Sequence, residues 1–196
     1  MRTLVIHCHP DPESFTATVR DHVIDVLRAR GDELRLTDLY AMRFDPVLSR
    51  REEARHLEPG PDPTVADHAA DLQWCQRLVL VYPTWWSGQP AMLKGWFDRV
   101  LVKDVAFELP PDSNRIHAKL RNVKRIVAIT THGSSKLINA IQGEPGKRVL
   151  SRAVRGMCRG LRTRFTWLAM YGVDHSTREQ RQAFLDRVER TMRNIA

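Results

Sequence analysis

Cysteine is scarce in this chain of 196 residues: there are three, Cys8, Cys75 and Cys158. They lie too far apart for a zinc cluster, and an odd count argues against a disulfide framework. Each sits in apolar sequence, which predicts small reduced core residues and a cytoplasmic protein. Long hydrophobic runs are missing too. No apolar stretch approaches the roughly 20 residues of a membrane span. The chain opens directly into a strand-like run, Thr3-Leu4-Val5-Ile6, so no signal peptide and no membrane insertion are expected. There is no G-x-G-x-x-G and no Walker lysine motif, which sets the chain apart from Rossmann dinucleotide sites and P-loops. Nor is there an internal repeat, and the length predicts one domain spanning 1–196.

Positive charge is in excess, with a net charge of +8. Much of it lies between Lys147 and Arg164. Arg148, Arg152, Arg155, Arg159 and Arg162 recur at helical spacing, with Leu150, Val154, Met157, Cys158 and Leu161 largely opposite them. That pattern predicts an amphipathic helix over 147–161 with a basic outer stripe. Such a stripe is a solvated face or a face for an anion or partner. The chain has neither an RNA-binding aromatic signature nor zinc-finger spacing, so no nucleic-acid partner is expected.

Strand-like and helix-like segments alternate. Strands are predicted over 3–8, 33–38, 78–82, 123–130 and 165–171. Helices are predicted over 15–30, 64–75, 90–100, 147–161 and 177–195. Ser14 is suited to cap the first helix and Gly31 to end it. Strands separated by helices imply parallel βαβ units. Five of each fit the smaller doubly wound α/β sheet with strand order 2-1-3-4-5. Two stretches, 48–63 and 105–120, read as irregular.

In such sheets ligands bind beyond the carboxyl ends of the strands, and the unusual residues of this chain fall there. The first loop carries His9, Ser14, Phe15 and Thr16 and opens a helix, whose free N–H groups suit a phosphate. Asp11 and Glu13 would have to point away. The third carries Pro83, Thr84, Trp85, Trp86, Ser87 and Gly88. The fourth carries Thr130, Thr131, His132, Gly133, Ser134 and Ser135. Two adjacent indoles just past a strand end suit a flat aromatic ligand, and donors nearby favour one that gains negative charge on reduction.

These residues resemble a known family. Leu4 to Phe15, the run from Asp38 to Ser49, Pro83 to Val100 with its Leu93-Lys94-Gly95-Trp96-Phe97 core, and Ile129 to Gly133 followed by Gln142-Gly143 are similar to the NAD(P)H:quinone reductase branch of the flavodoxin-like fold. That branch includes modulator-of-drug-activity-B type enzymes and the flavoprotein regulators of potassium efflux. The resemblance implies a homodimer with one flavin per subunit at the interface, FAD slightly favoured over FMN. NAD(P)H would deliver a hydride to flavin N5, and a quinone or similar small-molecule acceptor would collect it in a ping-pong cycle. It further implies that His9, Phe15 and Thr16 hold the phosphate side, where the helix start also places the Ser14 hydroxyl. Pro83, Thr84, Trp85, Trp86 and Ser87 line the isoalloxazine, and Thr130, Thr131, His132 and Gly133 meet its pyrimidine edge. Arg181 lies near the flavin. Phe107 and Asn139 shape the acceptor pocket. No catalytic acid is assigned: where the best-known relatives place a Tyr and a His, this chain has Asn139 and Pro145. The alternative function is a flavoprotein regulatory subunit of a potassium-efflux type transporter.

Overall fold

The computed structural model describes residues 1–110 and 115–195. The first strand, β1 (Arg2–His7), leads through a loop to α1 (Phe15–Ala29) and back to β2 (Glu33–Asp38). Next come a short α2 (Arg50–Ala54), α3 (Ala66–Trp74), β3 (Arg77–Pro83) and α4 (Ala91–Val100). A small hairpin of β4 (Phe107–Glu108) and β5 (His117–Ala118) precedes β6 (Arg125–His132). The chain finishes with α5 (Lys136–Ile141), α6 (Pro145–Arg148), β7 (Arg164–Tyr171) and α7 (Arg178–Asn194).

The main sheet is parallel, in the order β2-β1-β3-β6-β7. Counting only its own strands, that is the predicted 2-1-3-4-5. β3 and β6 are buried along their whole lengths because helices cover both faces. One core layer joins Leu4, Ile6, Leu78, Leu80, Ile126 and Ala128 to Leu72, Leu93 and Trp96 from α3 and α4. The other joins Val5, Val79, Val81, Val127 and Ile129 to Val23 and Leu27 of α1 and Phe184 and Val188 of α7. The alternation follows from the two-residue period of a strand. All three cysteines are free and buried, and burial pushes their thiols up to about 12. No helix among the described residues is long and apolar enough to cross a membrane.

Caps fall where the sequence placed them. The Ser14 hydroxyl accepts from the Ala17 N–H at 3.2 Å, a cap worth about 1 kcal/mol. Gly31, at φ +75°, turns the chain after α1. At α7 the structure adds a reciprocal capping box of Thr177 and Gln180 that was not expected.

Three expectations need correction. The 105–120 stretch contains the β4–β5 hairpin; residues 111–114, with Pro111, lie outside the described residues. The 48–63 stretch contains α2, closed by a Ser49–Glu52 capping box. The 147–161 segment is not one amphipathic helix. After α6 it widens into a π-helical run, Val149–Val154, and ends in a 3-10 turn, Gly160–Arg162. Arg148, Arg152, Arg159 and Arg162 nonetheless stay exposed, and Leu150, Val154 and Cys158 stay buried. Arg155 is drawn in, donating to Thr163 O at 2.7 Å and Leu161 O at 2.9 Å. Leu161, expected on the apolar side, is 89% exposed.

Candidate functional site

Loops at the carboxyl ends of β1, β3, β6 and β7 enclose a cavity of about 1010 Å³. β6 runs two residues further than predicted, to His132, and so delivers Thr131 and His132 directly to its floor.

The β1 loop is folded on itself. His9 Nδ1 accepts from the Asp11 N–H at 3.0 Å, and Asp11 Oδ1 accepts from the Glu13 N–H at 2.8 Å. Asp11 and Glu13 are therefore kept out of the cavity wall, which His9, Ser14, Phe15 and Thr16 line. The first turn of α1 holds no acidic residue, so its dipole meets the cavity unopposed. Arg181 comes in from α7, its Nε held 2.8 Å from Ser176 Oγ and its guanidinium carbon 5.6 Å from the Phe15 ring centroid. One end of the cavity is thus positive, with hydroxyls and a helix N-terminus beside it.

The β3 loop is a tight turn. Trp85 and Gly88 exchange backbone hydrogen bonds of 3.2 and 3.0 Å. Trp86 (φ +48°) and Ser87 (φ +62°) both sit in the left-handed region, which costs roughly 1–2 kcal/mol per non-glycine residue. The turn is clamped from the far side of the cavity. Ser87 Oγ donates to Gln142 Oε1 at 2.5 Å, the Gly146 N–H donates to Ser87 O at 3.1 Å, and Gln89 Nε2 donates to Gly146 O at 2.7 Å. A Cβ on Gly146 would lie 3.2 Å from Gly88 Cα and from Ser87 O, so glycine permits the close approach. The clamp leaves the Trp86 indole fully exposed at the cavity mouth.

The β6 loop is tied to both neighbours. Thr131 Oγ1 lies 3.4 Å from Thr16 Oγ1, and Thr131 O accepts from the Thr84 N–H at 2.7 Å. A Cβ on Gly133 would come within 2.4 Å of Asp174 Oδ2, so this glycine makes room for the loop after β7. His132 is 5% exposed. Burial lowers its pKa, outweighing Asn139 and Glu144, which raise it.

Most of the expected site residues meet at this cavity, Asn139 included. Two do not. Thr130 is buried below the wall, where its hydroxyl lies 2.8 Å from Thr84 Oγ1 and steadies it. Phe107 lies in β4 and packs on the α3–α4 core layer; it does not line this chain's cavity. Four further residues line it: Ser134 and Gln142, which the sequence placed in the fourth loop and in the family stretch without a site role, and Val173 and Asp174, which it did not single out. The rule that sites form at strand ends would have found Val173 and Asp174, which directly follow β7.

The chain belongs to the flavodoxin-like fold family, whose model matches residues 1–194. Among individual proteins, NAD(P)H dehydrogenase (quinone) 1 of Cavia porcellus is 28% identical over 162 residues, covering 73% of this chain and 58% of that protein. The chain spans 58–65% of the length of the curated quinone dehydrogenases it first matches. Two solved structures are similar throughout. Smu.1420 from Streptococcus mutans UA159 superposes with a TM-score of 0.86 at 27% identity, covering 100% of both chains. The NAD(P)H:quinone oxidoreductase from Methanothermobacter marburgensis gives 0.82 at 25% identity, covering 100% of this chain and 99% of that one.

Proposed function

We propose that the chain is a flavin-dependent NAD(P)H oxidoreductase that passes an electron pair to a quinone or similar electrophilic acceptor. The observation that carries this reading is the polarity of the cavity of about 1010 Å³. One side offers the α1 N-terminus, Ser14 and Arg181, the other two indoles and the His132–Gly133 edge, with the Thr16 and Thr131 hydroxyls meeting between them at 3.4 Å. A phosphate seat joined to an aromatic slot fits a flavin nucleotide. The Ser14 oxygen already accepts from Ala17, which leaves its hydrogen for a phosphate oxygen. Asp174 offers acceptors for sugar hydroxyls. Trp85 and Trp86 would stack on the ring, while Thr131, His132 and Gly133 hold its polar edge. The bound flavin supplies the hydride-transfer chemistry; the residues supply position and charge compensation. The named activities of the relatives support the same reading.

FMN is the better fit, where the resemblance slightly favours FAD. None of the residues 48–63 lines the large cavity. Glu52 in this stretch, and Asp45 and Thr64 on either side of it, are drawn instead onto α4 by Arg99, which donates to Glu52 Oε1, Asp45 O and Thr64 Oγ1 at 2.6, 2.6 and 2.7 Å. No wall is left there for an adenosine. The absorption spectrum of the purified protein, with the mass of the released chromophore, tests both points. A flavin spectrum and an FMN mass are expected. A preparation that stays colourless after incubation with FMN and FAD overturns the reading.

The mouth of the cavity also supports a homodimer. Trp86, Leu137, Ile138 and Ile141 are exposed beside it, an apolar rim that a second copy would cover. Phe107 would reach an acceptor pocket only from such a partner. Sedimentation should therefore give twice the chain mass.

Trp86→Gly separates binding from folding. Glycine accepts φ +48° without strain, so the melting temperature should hold or rise. Losing a stacked aromatic costs about 1–3 kcal/mol, so FMN should bind on the order of tenfold more weakly. Unchanged affinity in a fluorescence titration would remove the stacking role.

A further inference from the structure

We propose that His132 takes up a proton when the electron pair enters the bound flavin, and that Tyr171 and Glu144 hold the resulting imidazolium. The proposal rests on the flavin reading and assigns the cavity its own charge-compensating side chain. His132 and Tyr171 are register partners on β6 and β7, so their rings are stacked, with centroids 4.7 Å apart and planes 25° apart. Trp167 meets the imidazole edge-on at 6.1 Å. Two electron-rich rings beside an imidazole favour its cationic form.

The remaining neighbours fit the same role. Tyr171 Oη donates to Glu144 Oε1 at 3.4 Å. Glu144 is held in the left-handed region at φ +47°, and its other oxygen accepts from Lys147 Nζ at 2.8 Å. Asp174 packs against Gly133, one residue along. On the cavity side His132 Nε2 is 3.4 Å from Thr84 Oγ1. Nδ1 has no well-formed hydrogen bond; Asn139 lies beside it, but its amide nitrogen is committed to Ser134 Oγ and Ser135 O, both at 2.8 Å. A proton on this ring is therefore favoured by the Glu144 charge beyond Tyr171 and has a cavity in front.

Burial keeps the ring neutral while the cavity carries no added charge. A negative charge arriving beside it reverses that balance. The bookkeeping closes: NAD(P)H loses a hydride, two electrons with one proton, and becomes NAD(P)+. His132 takes a second proton from solvent. A quinone then receives the hydride and that proton and leaves as the hydroquinone.

Three measurements test this on the full chain. In the unloaded protein, nitrogen NMR should show His132 losing its proton below the ordinary histidine range; an ordinary titration overturns the proposal whatever else is found. FMN should bind wild type and Glu144→Gln, and His132→Gln more weakly but to completion in excess FMN, as read by absorbance. Failure of wild type to bind defeats the flavin reading itself, and the proposal with it. In potentiometric titrations of the FMN-loaded proteins above the pH at which the reduced ring loses its own proton, wild type should take up two protons per electron pair. His132→Gln should take up one, and Glu144→Gln should take up two over a narrower pH range, ending lower. Equal slopes in wild type and His132→Gln overturn the role of His132. A Glu144→Gln profile identical to wild type removes Glu144 from it.

Discussion

Asp32→Asn should destabilise the protein by about 3–5 kcal/mol, the usual cost of stripping one partner from a buried ion pair. Arg77 is wholly buried and Asp32 is 4% exposed, with Arg77 Nη1 to Asp32 Oδ2 at 2.6 Å. The guanidinium also donates to Thr3 Oγ1 at 3.3 Å and to Ile195 O at 3.0 Å. It therefore ties β1, β3, the turn after α1 and the end of α7 at the edge of the sheet opposite the cavity. Those carbonyl and hydroxyl partners cannot neutralise it. For a chain of this size the loss corresponds to a fall in Tm of about 6–20 °C. A wild-type Tm in the variant would show that the pair is dispensable.

The same pair gives stability a pH dependence. Burial works against ionisation of Asp32, but hydrogen bonds from the Met1 amino group and from Arg77 outweigh it and hold the carboxyl below its usual range. A depressed folded-state pKa means that the contribution is complete above the unfolded value of about 3.9. It is lost as the pH falls from there through the folded value. Denaturant midpoints between pH 7 and pH 3 should thus fall more steeply in wild type than in Asp32→Asn. Parallel curves would place the acid sensitivity elsewhere.

The sheet was legible because its strands are short β-branched and leucine runs punctuated by caps, and each such signal is local. Leu78 to Val81 and Ile126 to Ile129 need no distant partner to be recognised as buried strands. The cavity loops were legible for the same reason: Trp85-Trp86 and Thr131-His132-Gly133 follow strand ends. What escaped depends on contacts remote in sequence. Thr130 reads as a ligand residue until Thr84, brought alongside by the β3–β6 pairing, takes its hydroxyl. Gln142 gains its role only by receiving Ser87. The arginine spacing over 148–162 predicts a continuous stripe, yet Arg155 finds the Thr163 and Leu161 carbonyls more rewarding than solvent. No pattern of hydropathy encodes that choice. Position 95 illustrates the same limit, since in sequence it is only a glycine inside a helix, a residue that normally weakens one.

Gly95→Ala should nevertheless destabilise the fold. In an isolated helix alanine would gain about 1 kcal/mol over glycine. Here the added Cβ would lie 2.2 Å from Pro46 O and 2.5 Å from Pro46 Cβ. Both atoms belong to a strap that cannot simply step back. Asp45 O is held by Arg99 Nη1 at 2.6 Å, and the Val47 N–H donates to Asp45 Oδ1 at 2.9 Å. Overpacking a tight site costs about 1–3 kcal/mol, and more when backbone must move, so the steric term exceeds the propensity gain. The expected result is a lower Tm together with loosened protection of the Arg99 network in hydrogen exchange. Because α4 begins directly after the tryptophan turn, FMN affinity should fall as well, though less than in Trp86→Gly. A more stable Gly95→Ala protein would mean that the strap yields freely. The crowding of residues 45–64 onto α4, and with it the argument that they leave the adenosine end of the cavity unwalled, would then fail.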